Sequence, residues 1–254
     1  VPSFVLWASL YGRCLRIAIN NGFCFAGNAA LFGSADIRIA TKNSWIGMAG
    51  PAMIEGGGLG KFDPKEIGPT DIQKNNGVID YVAENEKDAT NIAKKILSYF
   101  QGEIKNWKAD DQKKLSNIMP KDRRWSYPVR DIIKIISDIE QFTEIRPEYG
   151  KGIVSCFIRI EGKPFGLLAN DSQHLGGAID SEAADKASSF IEMCSEYGLP
   201  IISLVDTPGF MVGPDSEKEG AVRRMSNLFK IGSKVKVPLT AIFLRKGYGL
   251  GAQA

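Results

Sequence analysis

Glycine-rich turns are the residues of this sequence whose types and spacing best support chemistry. Three segments share one order, a strand followed by glycine and then a helix start with alanine: Phe25-Ala-Gly-Asn-Ala-Ala30, Leu175-Gly-Gly-Ala178 and Tyr248-Gly-Leu-Gly-Ala-Gln-Ala254. Glycine permits a sharp turn, and the first amides of a helix have no partner within that helix. Because such amides bind anions, the three segments predict sites for a phosphate, a dinucleotide or an oxyanion.

A GTPase-like motif is one alternative. Leu204-Val-Asp-Thr-Pro-Gly209 is similar to the strand and Asp-x-x-Gly element of GTPases, which requires a P-loop elsewhere in the chain. The nearest candidate fails, because Gly60-Lys61 is followed by Phe62 and because Glu55 stands where the first glycine of the P-loop belongs. We interpret the motif as a strand-ending turn shaped by proline and glycine.

A dinucleotide site is a second alternative. Gly247-Tyr-Gly-Leu-Gly-Ala252 fits the short pattern G-x-G-x-x-A after a strand. The acidic residue expected about 20 positions later falls beyond residue 254, so the sequence neither supports nor excludes this site. The same loop suits an oxyanion hole, since both uses need close approach of the backbone and amides at a helix start.

Few side chains are candidates for acid, base or nucleophile. His174 is the only histidine, and no G-x-S-x-G motif accompanies it, so we interpret it as structural. Glu55 admits two interpretations, a general acid or base on a flexible loop, or a surface carboxylate at a helix start. No spacing of histidine and cysteine indicates a metal site.

Composition limits the class of protein. The 254 residues are 44% hydrophobic and 24% charged with a net charge of +3, which is typical of a globular protein and does not favour a nucleic-acid partner. No apolar run is long enough to span a membrane. The four cysteines are widely spaced, which predicts buried thiols in a reducing compartment, the cytoplasm or an organelle matrix: Cys14, Cys24, Cys156 and Cys194.

The elements that must position the glycine turns follow from the apolar patterns. Strands are predicted at 15–20, 36–41, 153–160, 165–169, 201–205 and 239–244, and helices at 88–100, 131–139, 181–197 and 217–231. Their alternation favours parallel strands. The charged, broken stretch 103–124 predicts an inter-domain linker, so we expect domains at 1–110 and 111–254.

Five collinear segments resemble those of the carboxyltransferase subunits and domains of biotin-dependent acyl-CoA carboxylases, the beta type of acetyl- and propionyl-CoA carboxylase. They are Phe23–Ala30, Ile46–Gly60, Leu175–Asp180, Leu204–Pro214 and Leu244–Ala254. The resemblance implies an α/β fold of two crotonase-like (ClpP/crotonase) ββα-spiral domains. It implies CoA on the first domain and biotin on the second, and we expect the first to lack its start and the second its end.

The resemblance also implies chemistry and partners. The expected reaction moves a carboxyl group from carboxybiotin to the α carbon of an acyl-CoA of the acetyl or propionyl class, through an enolate. The expected partners are a biotin carboxylase and a biotin carboxyl carrier protein or domain, with a homo-oligomer whose sites lie at subunit interfaces and with no nucleic acid or membrane. The alternatives are a biotin-dependent acyl-CoA decarboxylase and a crotonase-type hydratase or isomerase.

Site residues are implied by the same motifs. Gly27 and Asn28, beside Ala26, are expected to hold the thioester oxygen, although Asn28 stands where some relatives have glycine. The biotin oxygen is expected at Gly249, Leu250 and Gly251, with a neighbouring loop and two further residues that contact biotin or substrate: Gly176, Gly177, Ala252 and Gln253. Gln253 lies near a position associated with acyl preference, and no metal ligand is expected.

Overall fold

The structure, a computed structural model, describes residues 2–254 and divides into two compact units. The first unit ends at Leu97, and the second covers Ser98–Ala254. No helix within the described residues is long and apolar enough to cross a membrane.

The division lies before the boundary expected at residue 110. The guanidinium of Arg159 donates to the carbonyl oxygens of Ser98 and Gly102 at 2.6 and 2.8 Å, and the amide of Ile104 donates to Gly162 O at 3.0 Å. These bonds attach the segment 98–104, which includes the start of the predicted linker, to a strand and hairpin of the second unit.

The first unit contains a three-stranded parallel sheet in the order β1-β2-β3. Its strands are β1 (Ile17–Phe25), β2 (Ile37–Gly47) and β3 (Tyr81–Ala83). Its helices are α1 (Pro2–Ala8), α2 (Gly27–Gly33), α3 (Pro51–Gly56), α4 (Thr70–Gln73) and α5 (Glu86–Tyr99), the last of which extends across the division. The connection from β1 through α2 to β2 is the predicted strand, turn and helix, with both strands longer than expected.

Buried ion pairs fix the first unit beside an apolar core. Arg16 pairs with Asp36 and Arg38 with Asp80, each at 2.8 Å, and the Asp80 side chain is completely buried. The Asp80 carboxylate raises the pKa of Arg38. A buried carboxylate is tolerated when it is paired and hydrogen-bonded. The two pairs therefore hold the amino-terminal ends of β1, β2 and β3 next to one another.

The second unit contains a five-stranded sheet in the order β4-β5-β6-β7-β8. Its strands are β4 (Phe142–Ile145), β5 (Ile153–Ile160), β6 (Lys163–Asn170), β7 (Ile201–Thr207) and β8 (Leu239–Gly247). Its helices are α6 (Val129–Ile136), α7 (Ser181–Glu196), α8 (Pro214–Lys218) and α9 (Ala221–Gly232). The single helix predicted at 217–231 is therefore two helices, divided at Gly220, whose φ is 73°.

The expectation of parallel strands is correct for β6, β7 and β8 and wrong for β4, β5 and β6. The reason lies in the two residues between β5 and β6. Glu161 and Gly162 both have positive φ, 52° and 77°, which is the geometry of a tight hairpin turn. Such a turn returns the chain beside itself and forces antiparallel pairing.

The cysteines are mostly as predicted. Cys24, Cys156 and Cys194 are buried thiols, whereas Cys14 is exposed. Burial raises the pKa of the Cys156 and Cys194 thiols. The prediction for Cys14 was wrong because this residue lies in the irregular segment after α1 and outside any strand or helix.

An aromatic cluster anchors the second unit. The Phe157 ring is fully buried, and its centroid lies 5.6 Å from that of Tyr99 and 5.4 Å from those of Phe100 and Phe190. Phe157 lies on β5 and Phe190 on α7, so the cluster joins the sheet to the helix packed on it.

Phe157→Ala is expected to lower the free energy of unfolding by about 4 kcal/mol, because it opens a cavity in a packed aromatic cluster. Chemical denaturation measures this change. Ile139→Ala, at a side chain that is 52% exposed, is the control and should change stability by less than about 0.5 kcal/mol. Equal effects of the two variants would contradict the assigned role of the cluster.

The buried Lys186 side chain is expected to make the free energy of unfolding depend on pH. Its side chain is buried in α7, its Nζ donates to Arg146 O at 2.8 Å, and burial lowers its pKa from 10.5 to about 7. Between these pKa values the unfolded chain binds more protons than the folded chain, so the free energy of unfolding rises with pH. The contribution of this lysine approaches about 1.4 kcal/mol per pH unit.

Denaturation at about pH 7 and about pH 8 measures this slope below the range in which the buried thiols ionise. Lys186→Met removes the titrating group and should reduce the slope. An unchanged slope in the variant would show that other groups cause it.

Candidate functional site

Three segments of main chain meet at the carboxyl ends of β7 and β8. The amide of Tyr248, after β8, donates to Thr207 O at 3.1 Å, and the amide of Ile179 donates to Gly209 O at 3.0 Å. We name these segments the β8 loop (Gly247–Gly251), the β7 loop (Thr207–Phe210) and the glycine turn (His174–Ala178). The structure therefore brings two of the predicted glycine motifs to the same end of one sheet.

The β8 loop is held against the β7 loop without room for side chains. A Cβ added to Gly251 would lie 2.8 Å from the carbonyl carbon of Gly209 and 2.9 Å from the amide nitrogen of Phe210. Gly249 has a φ of 64°, and a 3₁₀ turn, Leu250–Ala252, begins directly after it. The first amides of such a turn have no partner within it, so those of Gly249, Leu250 and Gly251 can donate to a bound oxyanion.

The glycine turn lies on the other side of the β7 strand end. Gly176 and Gly177 have φ values of 63° and 88°, and a Cβ added to Gly177 would overlap the carbonyl oxygen of Asp206. The glycine turn thus packs on Asp206, and the β8 loop packs on Gly209 and Phe210 of the β7 loop.

An apolar groove opens beside Gly249 and Leu250. It is lined by the β7 loop, the segment after it and one face of α9, with Phe210, Met211, Val222, Met225 and Phe229 among its residues. Sequence reasoning missed the contribution of α9, although the apolar spacing of Val222, Met225 and Phe229 is a signal that the helix presents an apolar side.

Ala252 and Gln253 lie apart from this groove. They line a separate cavity with Gly251 and Ile179, between the sheet and helices α7 and α9. The structure therefore does not place Ala252 and Gln253, which were expected to contact biotin or substrate, in the groove with Gly249 and Leu250.

The predicted thioester site lies in the first unit. Ala26 has a φ of 54°, its amide donates to Gly47 O at 3.1 Å, and α2 begins at Gly27. A Cβ added to Gly27 would lie 2.9 Å from Cζ of Phe4. Asn28 is exposed, and the first amides of α2 have no acceptor within the helix.

The candidate acid and base side chains have ordinary structural partners. Glu55 lies in the last turn of α3, not at a helix start, and it pairs with Lys61 at 2.9 Å. His174 Nε2 lies 3.5 Å from Asp180 Oδ2, and Asp180 caps α7 by accepting from the amide of Ala183. Neither contact provides a nucleophile. Among the described residues, no cluster of histidine, cysteine and acidic side chains could hold a metal ion.

Asp206, the acidic residue of the GTPase-like motif, is not available to a magnesium ion. Its side chain is completely buried and is bound by Tyr127, Arg245 and Lys246. Burial raises its pKa, but the hydrogen bonds from these three residues outweigh burial and hold the pKa below its ordinary value. The motif is a strand-ending turn, as interpreted, in which the Gly209 amide donates to Thr207 Oγ1 at 3.0 Å.

Comparison with known proteins gives a consistent result. Residues 4–254 match the family model described as carboxyl transferase domain. The chain is 31% identical over 249 residues to the methylmalonyl-CoA carboxyltransferase 12S subunit of Propionibacterium freudenreichii subsp. shermanii, which covers 94% of this chain and 48% of that protein. The chain thus spans about half the length of the curated relatives it matches.

Two solved structures are also similar. A single-chain, multi-domain long-chain acyl-CoA carboxylase matches with a TM-score of 0.97 and 52% identity, over 99% of this chain and 25% of that one. The transcarboxylase 12S structure, a hexamer with methylmalonyl-CoA and methylmalonic acid bound, matches with a TM-score of 0.89 and 30% identity, over 98% and 51%. These neighbours confirm the α/β fold of two crotonase-like domains.

Gly176 and Gly177 of the glycine turn allow a matched comparison of two alanine variants. Gly177→Ala is expected to lower the free energy of unfolding by about 3 kcal/mol, because it combines a positive φ with overlap on Asp206 O. Gly176→Ala shares the positive φ, but its Cβ meets nothing within 4 Å, so it should cost about 1 kcal/mol. Thermal and chemical denaturation compare them, and equal losses would contradict the close contact.

Proposed function

Because the chain belongs to the carboxyl transferase domain family, we propose that it forms part of a biotin-dependent acyl-CoA carboxyltransferase. The observation that supports this function most directly is the family match across residues 4–254. The loops are consistent with it, because they offer backbone amides and because the Thr207 hydroxyl among them is held by hydrogen bonds with Gly209. We assign the activity to the whole protein, of which this chain is the matching part.

The apolar groove fits a biotin ring. Phe210, Met211 and Phe229 provide apolar walls, and the amides of Gly249 and Leu250 lie at the edge of the same groove. A bicyclic ring with a thioether on one side and a ureido carbonyl on the other needs this combination. When bound, carboxylated biotin supplies the carboxyl group and, after releasing it, a ureido nitrogen that accepts the α-proton of the acyl thioester.

The chain's own contribution is electrostatic. The amides of Gly249 and Leu250, which border the groove, and of the adjoining Gly251 donate to the ureido oxygen. The amides of Gly27 and Asn28 donate to the thioester oxygen as it becomes an enolate oxygen. A preorganised donor of this kind typically stabilises the transition state by about 3 kcal/mol. The apolar walls of the groove exclude water and strengthen these bonds.

The partners follow from the same proposal. We propose a biotin carboxylase and a biotinylated carrier, as separate proteins or within one long chain, and a homo-oligomer whose sites lie between copies. The hexamer of the transcarboxylase 12S structure supports the oligomer. We further propose the cytoplasm or the mitochondrial matrix as the compartment.

A hydratase-like function has less support. Addition of water needs a positioned acid and base, and Glu55 and His174 are held by Lys61 and Asp180. A decarboxylase would use the same amides in reverse, so the direction of the reaction must be tested with substrates.

The full-length protein should release carbon dioxide from malonyl-CoA or methylmalonyl-CoA only when free biotin is added. Radiolabelled substrate measures the release, and added acyl-CoA with carboxylated biotin measures the forward reaction. The absence of biotin-dependent release in the first assay and of carboxylated acyl-CoA in the second would overturn the proposed function.

Gly251→Ala should lower kcat about 100-fold, because the added Cβ displaces the donors of the β8 loop. Acyl-CoA binding, measured by calorimetry, should be unchanged. The matched control is Gly232→Ala at the end of α9, where the added Cβ would lie at an ordinary 3.6 Å from Ala254 O and activity should persist. Loss of acyl-CoA binding with normal turnover of bound substrate would contradict the assigned roles.

A further inference from the structure

Asp206 has more binding partners than a strand-ending turn requires. Its Oδ2 accepts from Tyr127 Oη at 2.8 Å and Arg245 Nε at 3.0 Å, and its Oδ1 accepts from the amide of Lys246 at 3.1 Å. The Lys246 ammonium lies 3.2 Å from the same Oδ1. The carboxylate is completely buried, so these groups replace its hydration.

The partners lie at an irregularity in the pairing of β7 with β8. Val205 pairs with Phe243, but Thr207 pairs with Gly247, so Asp206 faces three residues of β8. A bulged strand leaves amides without their ladder partner. Here the Asp206 carboxylate accepts from the bulged amide of Lys246 in place of a backbone carbonyl. The bulge ends at Gly247, where the β8 loop begins.

Arg245 extends the same connection. Its guanidinium lies 4.5 Å from the centroid of the Tyr127 ring and donates to Trp125 O at 2.7 Å. Tyr127 in turn is fully buried and directs its hydroxyl to Asp206. The bulge is therefore held by two contacts, the hydrogen bonds from Arg245 and Lys246 to the Asp206 carboxylate and the cation–π contact of Arg245 with Tyr127.

The main chain of Asp206 contacts the other glycine segment. Its amide donates to Asn170 Oδ1 at 3.1 Å, and its carbonyl oxygen occupies the place that a Cβ of Gly177 would need. One residue thus touches the glycine turn through its backbone and the base of the β8 loop through its side chain.

We propose that Asp206 is a positioning residue of the carboxyl-transfer site, which holds the amides of Gly249, Leu250 and Gly251 in place relative to the glycine turn. The inference rests on the proposed function and adds to it a residue that touches no substrate. It acts by fixing the bulge from which the β8 loop departs.

Asp138 provides a matched control. It is also buried, and its carboxylate accepts from the amides of Glu161 and Gly162 at 3.0 and 2.7 Å. These amides belong to the hairpin before β6, at the amino end of the parallel strands, whereas the glycine segments lie at the carboxyl end. Asp138 therefore tests the loss of a buried carboxylate without a change at the site.

Asp206→Asn keeps the size of the side chain but removes its charge and one acceptor oxygen. In the full-length protein we expect kcat/KM for free biotin to fall about 100-fold, with KM for acyl-CoA unchanged. Asp138→Asn should retain kcat/KM for biotin even where it lowers the melting temperature. Equal losses in the two variants, or normal turnover in Asp206→Asn, would overturn the proposal.

Hydrogen–deuterium exchange provides a readout that needs no activity. Asp206→Asn should speed exchange in peptides covering 244–252, whereas Asp138→Asn should leave these peptides unchanged. If the wild-type protein shows no carboxyl transfer, the proposed function fails, and the exchange result alone decides whether Asp206 positions the loop. Unchanged exchange at 244–252 would refute the positioning role.

Tyr127→Phe decides the question if Asp206→Asn does not fold. This variant keeps the carboxylate and Arg245 and removes only the hydroxyl that donates to Oδ2. We expect about a tenfold loss in kcat/KM for biotin, as for one hydrogen bond to a charged group, together with faster exchange at 244–252. Wild-type values of both quantities would overturn the proposal.

Discussion

Close contact between main-chain segments at the carboxyl ends of β7 and β8 is the constraint on which the rest of the second unit depends. Gly177 and Gly251 approach this strand end from two sides, at distances that exclude a Cβ. The aromatic cluster around Phe157 holds the sheet on α7, and the Asp206 network fixes the bulge of β8. Together these contacts hold the amides of the β8 loop and of the glycine turn at defined positions.

The sequence predicted the local features of this arrangement because glycine and apolar spacing act over short distances. The turns at Gly176 and Gly249 and most of the strands are as expected. The antiparallel half of the sheet was not, because the apolar pattern of a strand does not indicate the direction in which it pairs. Only the Glu161–Gly162 dipeptide offered a local signal, and its positive φ values explain the hairpin.

Much of the candidate site could not be predicted for the same reason. Tyr127 and Asp206 are 79 residues apart in the chain, and no spacing rule joins them. The interpretation of Leu204–Gly209 as a strand-ending turn was correct at Pro208 and Gly209, but it did not indicate what the Asp206 carboxylate binds. Likewise, the resemblance named Ala252 and Gln253, but the fold places them in a cavity away from the groove beside Gly249. Local motifs identify the amides, and the tertiary structure decides what surrounds them.

The groove beside Gly249 separates the groups that donate hydrogen bonds from those that shape the space around them. Its donors belong to the backbone, whereas Met225 and Phe229 belong to one face of α9. A substitution on that face alters the wall without touching a peptide bond. Substitutions in a single helix can therefore change the shape and polarity of the groove while the backbone donors at its edge stay the same.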